Sequence, residues 1–203
     1  MSMTDRVRAG YDRVAGRYAA RRDQASSVPY LAALDRHLAP DSLVLDLGCG
    51  AGLPVDRWLV DRGHRVIGLD VSEAMLALAR RNVPEAIYLH RDMATLEAGE
   101  FPVDAVVSFF AMIHIDRRGH GAFLGRVRAC LPDGGMLLVT TGRSDWEGEE
   151  DFLGVPMSWS HFDAAANREL IQAAGFAVLS EDVHRGNTCG DDDWHPIFLA
   201  RAA

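Results

Sequence analysis

Short apolar runs alternating with helical segments constrain this chain more than any other feature. The runs are Leu43–Leu47, Arg65–Leu69, Ala86–His90, Val103–Phe109 and Met136–Thr141. Helical spacing marks Leu53–Arg62, Ser72–Asn82 and Arg117–Leu131 among them, with Ser72 and Asp116 placed as N-caps. Nearly all-apolar strands connected through helices belong to a parallel sheet covered on both faces. Two helices, Val7–Arg22 and Val28–Leu38, precede the alternation. After Thr141 the pattern changes. Residues 143–160 read as irregular, Asp163–Ala174 as a helix ending at Gly175, and Phe176–Ser180 and Pro196–Arg201 as strands joined by the polar loop Arg185–His195. Two strands joined without a helix run antiparallel.

Charge excludes several chemistries. All 21 cationic side chains are arginine, so a Schiff base, a pyridoxal phosphate anchor and a phosphate-binding lysine are ruled out. The net charge of −8 argues against non-specific binding to nucleic acid or anionic membranes. That charge is unevenly placed. Residues 1–140 carry 17 arginines and 17 acids, whereas residues 141–203 carry 4 arginines and 12 acids. Cys49, Cys130 and Cys189 show no paired spacing, which fits neither a disulfide framework nor a zinc site and points to a reducing, cytoplasmic setting. The N-terminal segment offers no apolar stretch for a signal peptide, and no window approaches the roughly 20 apolar residues of a membrane helix. A length of 203 residues suits one domain.

The informative block is VLDLGCGAG at Val44–Gly52, a strand that runs into a glycine turn and then a helix. Glycines there let the backbone turn sharply and approach a ligand closely. Asp70 follows 20 residues after Gly50 at the end of the next strand, placed to accept from a ribose diol. Together they indicate an adenosine-containing ligand at the C-terminal edge of the sheet. Leu53 stands where a dinucleotide pattern has its third glycine. Asp46, two residues before the first glycine, is unfavourable beside a pyrophosphate and suited to an ammonium group. A ligand with an amino-acid end is favoured over one with phosphates.

DLGCGAG at Asp46–Gly52 resembles motif I of the class I S-adenosylmethionine-dependent methyltransferases, small-molecule type. The likeness continues through GLDVSEAML at Gly68–Leu76, RDM at Arg91–Met93, SFFAMIH at Ser108–His114 and LPDGGMLLV at Leu131–Val139. YDRVAGRY at Tyr11–Tyr18 is similar to the N-terminal helix that many members fold over the cofactor. The resemblance implies a single-domain, Rossmann-like α/β fold: a seven-stranded, mostly parallel sheet with an antiparallel last strand and helices on both faces. Residues 1–40 would form a helical cap, 41–142 the cofactor-binding core, and 143–203 the substrate lid, last helix and C-terminal strand pair. It also implies S-adenosylmethionine as cofactor. Asp46 would face its ammonium group, and Gly48, Cys49 and Gly50 would line its methionine and ribose. Asp70 would hold the ribose hydroxyls, Val71 and Met75 would flank the adenine, and Asp92 and Met93 would meet its amino group and ring. Ser108 and Phe109 would sit near the methionine portion, and Tyr18 would close over the cofactor.

Methyl transfer from a sulfonium is an in-line displacement, so the protein mainly aligns a nucleophile and excludes water. His114, just after the fourth strand, is the candidate general base; the alternative is a histidine that orients the loop. His161 is a second candidate, in a segment that also reads as the cap of the helix near Asp163. Trp146 and Trp159, with Tyr11 beside them, suit a flat or apolar small molecule. No Asn/Asp-Pro-Pro-Tyr follows the fourth strand, which speaks against exocyclic amino methylation of nucleic acid. The expected partner is a small, neutral or cationic metabolite accepting the methyl on N, O, S or C. Nucleic acid, membrane and metal are not expected, and the chain would be a monomer or homodimer. Two other readings remain open: a non-catalytic S-adenosylmethionine-binding protein and an NAD-dependent oxidoreductase.

Overall fold

A computed structural model describes residues 1–185 and 194–203. Five parallel strands form the middle of the molecule: β1 (Leu43–Leu47), β2 (Arg65–Asp70), β3 (Ile87–His90), β4 (Ala105–Ser108) and β5 (Met136–Thr140). The chain then adds a hairpin, β6 (Trp146–Phe152) and β7 (Val155–His161), and a final pair, β8 (Phe176–Arg185) and β9 (Trp194–Ala202). Seven strands make one sheet in the order β3-β2-β1-β4-β5-β9-β8. The β9 strand lies antiparallel to β5, with Leu138 opposite Leu199. Because β8 is antiparallel to β9 in turn, β9 alone in this sheet runs against the others.

Helices cover both faces, as a sheet of buried parallel strands demands. On one face α2 (Val28–Asp35) and α3 (Val55–Asp61) bring Leu31, Leu34 and Leu59 against Val44, Ala105 and Leu138. On the other, α5 (His120–Ala129) and α6 (Ala164–Ala173) bring Phe123, Leu124 and Ile171 against Leu45, Val106 and Phe198. Between β2 and β3, α4 (Glu73–Asn82) is capped by the Ser72 hydroxyl, which accepts from Met75 N. The helix α1 (Met3–Arg21) packs on β7 and α4. Its Val7 and Val14 meet Phe152 and Met157 of the hairpin.

Several boundaries depart from the sequence reading. Residues 143–160, expected to be irregular, hold most of the β6–β7 hairpin. The β6 sequence WEGEEDF has no apolar alternation to announce a strand. Its order comes from pairing with β7, whose Val155 and Met157 are buried against α1. Leu153 and Gly154, both at positive φ, close the hairpin. The first helix starts at Met3 instead of Val7, through a reciprocal Ser2–Asp5 capping box. Arg117–Gly119 is a 3-10 turn capped by Asp116, and α5 begins only at His120. The strand β8 is ten residues long, not five, because the long β9 supplies partners up to Arg185. Cys189 and the acids Asp191–Asp193 lie outside the described residues.

Candidate active site

The turn after β1 depends on its glycines. Gly48, Gly50 and Gly52 all have positive φ, which side chains resist. A Cβ on Gly48 would sit 2.3 Å from the Ala111 Cβ, and one on Gly52 would sit 2.7 Å from the Tyr88 hydroxyl. The Gly48 and Cys49 amides both donate to Leu69 O, locking the turn against β2.

Three acids surround the cleft above this turn. Asp70 accepts from Gly50 N through Oδ2 at 2.9 Å and from Ser72 N through Oδ1 at 2.8 Å. Each oxygen keeps a lone pair for a diol. Burial pushes its pKa up to about 6 despite those donors. Asp92 accepts from Ala94 N through Oδ1 and from the Thr4 hydroxyl through Oδ2, which ties the start of α1 to the rim. Asp46 is 2% exposed at the end of β1, and burial raises its pKa, reinforced by Asp56 beside it. A further acid, Asp12 of α1, accepts from the Ser72 hydroxyl at 2.6 Å and from Ala74 N.

A cleft opens above the turn. Tyr18, Gly48, Gly50 and Asp70 line it, as do Val71, Met75, Asp92, Met93 and Phe109. Asp46 and Cys49 line an adjoining lobe with Arg22. Ser108 reaches neither. It is buried, and its hydroxyl donates to Leu47 O, so it ties two strands together. Phe110, missed in the sequence, lies on the rim at positive φ with the Arg22 guanidinium 4.5 Å from its ring. Its place immediately after Phe109 was the available signal.

His114 is buried, and burial pushes its pKa down to about 4. The Ser158 carbonyl, 2.9 Å from Nδ1, can only accept, so Nδ1 carries the proton. Nε2 is then bare and accepts from the Tyr11 hydroxyl at 2.9 Å. The His114 ring stacks on Trp159 at 4.4 Å. Tyr11, Tyr18 and Phe110 border both the cleft and a second cavity. Trp146, Phe152, Trp159 and His161 line this outer cavity beneath the hairpin. The buried Trp159 Nε1 has no hydrogen-bond partner among the described residues. His161 is held through Nδ1 on Ser144 O, while the cap of α6 is Asp163, which accepts from Ala166 N.

The acidic run around the hairpin is largely paired. Arg117 holds Asp145 and Glu147, and Arg6 holds Glu149 at 2.8 Å. Glu150 and Asp151 border the outer cavity, as does Arg143. Among the described residues no helix is long and apolar enough to cross a membrane.

Comparison with known proteins agrees with this geometry. A family described as a methyltransferase domain matches residues 44–135. A probable S-adenosylmethionine-dependent methyltransferase of Mycolicibacterium smegmatis is 34% identical over 66% of this chain, which spans 52% of that protein. Trans-aconitate 2-methyltransferase of Paracidovorax citrulli is 35% identical over 79% of this chain, which spans 63% of that protein. The chain is thus shorter than these relatives. Among solved structures, the Burkholderia thailandensis 1,6-didemethyltoxoflavin N1-methyltransferase, with its substrate and S-adenosylhomocysteine bound, superposes with a TM-score of 0.77 at 22% identity. That match covers 98% of this chain and 88% of the other.

Proposed function

We propose that this chain is a class I S-adenosylmethionine-dependent methyltransferase and that it methylates a nucleophilic atom of a small aromatic or apolar metabolite, neutral or cationic. The observation that carries this reading is the shared wall. Tyr11, Tyr18 and Phe110 line both the cleft beside Asp70 and an aromatic cavity, so two small ligands can meet there. When bound, S-adenosylmethionine supplies an activated methyl group. Asp70 takes the ribose hydroxyls, Asp92 the adenine amino group and Asp46 the ammonium group, while Val71, Met75 and Met93 hold the ring. The backbone of Gly48, Cys49 and Gly50 lies along the methionine, with Phe109 beside it.

The outer cavity holds the acceptor. Trp146 and Trp159 offer aromatic faces and His161 its second ring nitrogen. Tyr11 borders this cavity and holds its hydroxyl on His114 Nε2. When the acceptor must lose a proton, Tyr11 accepts it and passes its own to His114 Nε2. Glu150 and Asp151 at the cavity repel anions more than neutral or cationic acceptors. Trans-aconitate, the substrate named for one relative, is therefore a discriminating probe.

The test combines calorimetry with S-adenosylhomocysteine and transfer of a labelled methyl from S-adenosylmethionine to a panel of flat heteroaromatic amines, phenols, phosphorylated metabolites and trans-aconitate. Cofactor binding and labelling of neutral or cationic members are expected. Strong turnover of phosphorylated or polycarboxylate members would refute the charge argument. Binding of NAD in place of S-adenosylhomocysteine would refute the cofactor.

A further inference from the structure

The two edges of the seven-stranded sheet are finished differently. At one edge, β8 carries Glu181 and Asp182 and a bulge between Val178 and Ser180, the usual guards against a further strand. At the other, β3 runs Ile87-Tyr88-Leu89-His90 in unbroken register with β2. It contains no acid, arginine, proline or bulge. Four large hydrophobic side chains are exposed among the described residues, and two of them, Ile87 at 59% and Leu89 at 38%, stand on this short strand. Alternation puts both on one face of the sheet, opposite the buried Tyr88.

The direction of the outer backbone groups follows from the inner ones. In a parallel ladder, successive residues turn their N–H and C=O to alternate sides. Arg91 N donates to Asp70 O, so Leu89 and Ile87, which alternate with it, face β2. Tyr88 and His90 therefore turn their backbone groups away from the sheet. The Arg80 guanidinium, 3.5 Å from Tyr88 O, marks that outward direction. It is a long contact that a strand amide can replace.

A second copy of the chain fits this edge. Two identical strands about a two-fold axis pair antiparallel, residue i facing j and j facing i. Centred on Tyr88, the pairing joins outward backbone to outward backbone. Ile87 then meets Leu89 of the second copy, and Leu89 meets its Ile87, at the closely spaced positions between hydrogen-bonded pairs. Glu85 and Arg91, just beyond the two ends of β3, face each other across the same seam. Within one chain Glu85 already holds Arg57 at 3.1 Å, and Arg91 holds Glu100 at 2.9 Å. The seam therefore lines up Arg57, Glu85, Arg91 and Glu100 with alternating sign. Sliding the centre to Ile87 or to Leu89 sets Leu89 against Glu85, or Ile87 against Arg91, and the match is lost.

We propose that this chain forms a symmetric homodimer by edge-to-edge pairing of β3 with β3 of a second copy, centred on Tyr88. A seam of one short strand from each copy lies at the small end of specific interfaces, so the dimer is reversible. The proposal stands apart from the methyl-transfer reading and survives or fails without it.

Sedimentation equilibrium of the full chain over about 1 μM to 1 mM reads the association directly. The average mass is expected to climb from 22.2 kDa towards twice that value. Leu89→Lys places a charge at an already exposed position, so it spares the fold and weakens the dimer by about tenfold or more. Glu85→Arg and Arg91→Glu each set like charges opposite one another at both ends of the seam, and each is expected to associate more weakly than the wild type. An equimolar mixture of these two variants should regain association, because every arginine then faces a glutamate. A mass that stays at 22.2 kDa throughout overturns the proposal, whether the strip then meets solvent or a different protein. A dimer that Leu89→Lys leaves intact overturns it too, since the contact then lies elsewhere. A mixture no more associated than its components overturns the register and the proposal with it. Should either charge variant not fold, Leu89→Lys decides alone.

Discussion

Replacing Asp70 by alanine tests the cofactor site at its best-defined point. Its two oxygens each hold one backbone amide, Gly50 N and Ser72 N, at 2.9 and 2.8 Å. The remaining lone pairs are what a ribose diol would use. Two charge-assisted hydrogen bonds lost from a partly buried site weaken binding by about 1–3 kcal/mol in total. That range corresponds to roughly 5–150-fold in the dissociation constant of S-adenosylhomocysteine. The same substitution leaves two turn amides without acceptors, which costs stability as well, so urea unfolding must accompany the calorimetry. Asn at this position does not rescue the turn, because one oxygen cannot serve two amides and its NH₂ would face the other. A folded Asp70→Ala protein whose affinity matches the wild type would remove Asp70 from the ligand site.

Three more outcomes are expected. Gly48→Ala forces a side chain onto positive φ and against Ala111, at a cost of about 2–4 kcal/mol, read as a thermal midpoint lowered by about 5–15 °C; an unchanged midpoint would contradict the close approach. His114→Ala should lower turnover by about 10²-fold or more while S-adenosylhomocysteine affinity holds, and near-normal turnover would return His114 to a purely structural role. The third concerns acid stability. His114 titrates near 6.5 when unfolded and near 4 in the fold, so the stability it contributes is complete above about pH 6.5 and is lost as pH falls towards about 4, by about 3 kcal/mol. Asp56 and Asp70, raised to about 6, act with the opposite sign. The comparison is therefore wild type against His114→Gln, and parallel pH–stability curves for the two would contradict the burial argument.

The core strands and the glycine turn were legible in sequence because each rests on local constraints. Apolar runs bounded by turns and helices mark buried parallel strands, and glycines at positive φ mark a backbone that no side chain can follow. Ser72 and Asp116 were visible as caps for the same reason, since a helix end needs an acceptor within its own turn. The hairpin escaped because WEGEEDF carries no strand periodicity; its order comes from β7 and from arginines far away in sequence. The resemblance placed Ser108, at the end of β4, near the methionine portion, whereas its buried hydroxyl donates to Leu47 O.

Sequence alone determined the α/β class, the glycine turn after β1 with Asp46 and Asp70 on the first two strands, and the family resemblance, because these depend on residue spacings within one or two elements. Tertiary structure decided the rest. It set the Tyr11–His114 hydrogen bond across 103 positions and the pairing of the acidic hairpin by Arg6 and Arg117. It also brought the Tyr88 hydroxyl to Asp56 across 32 positions. Such contacts are chosen by how the sheet edge and α1 pack together. A buried carboxyl or imidazole takes its charge state from those neighbours, and no spacing in the chain encodes them.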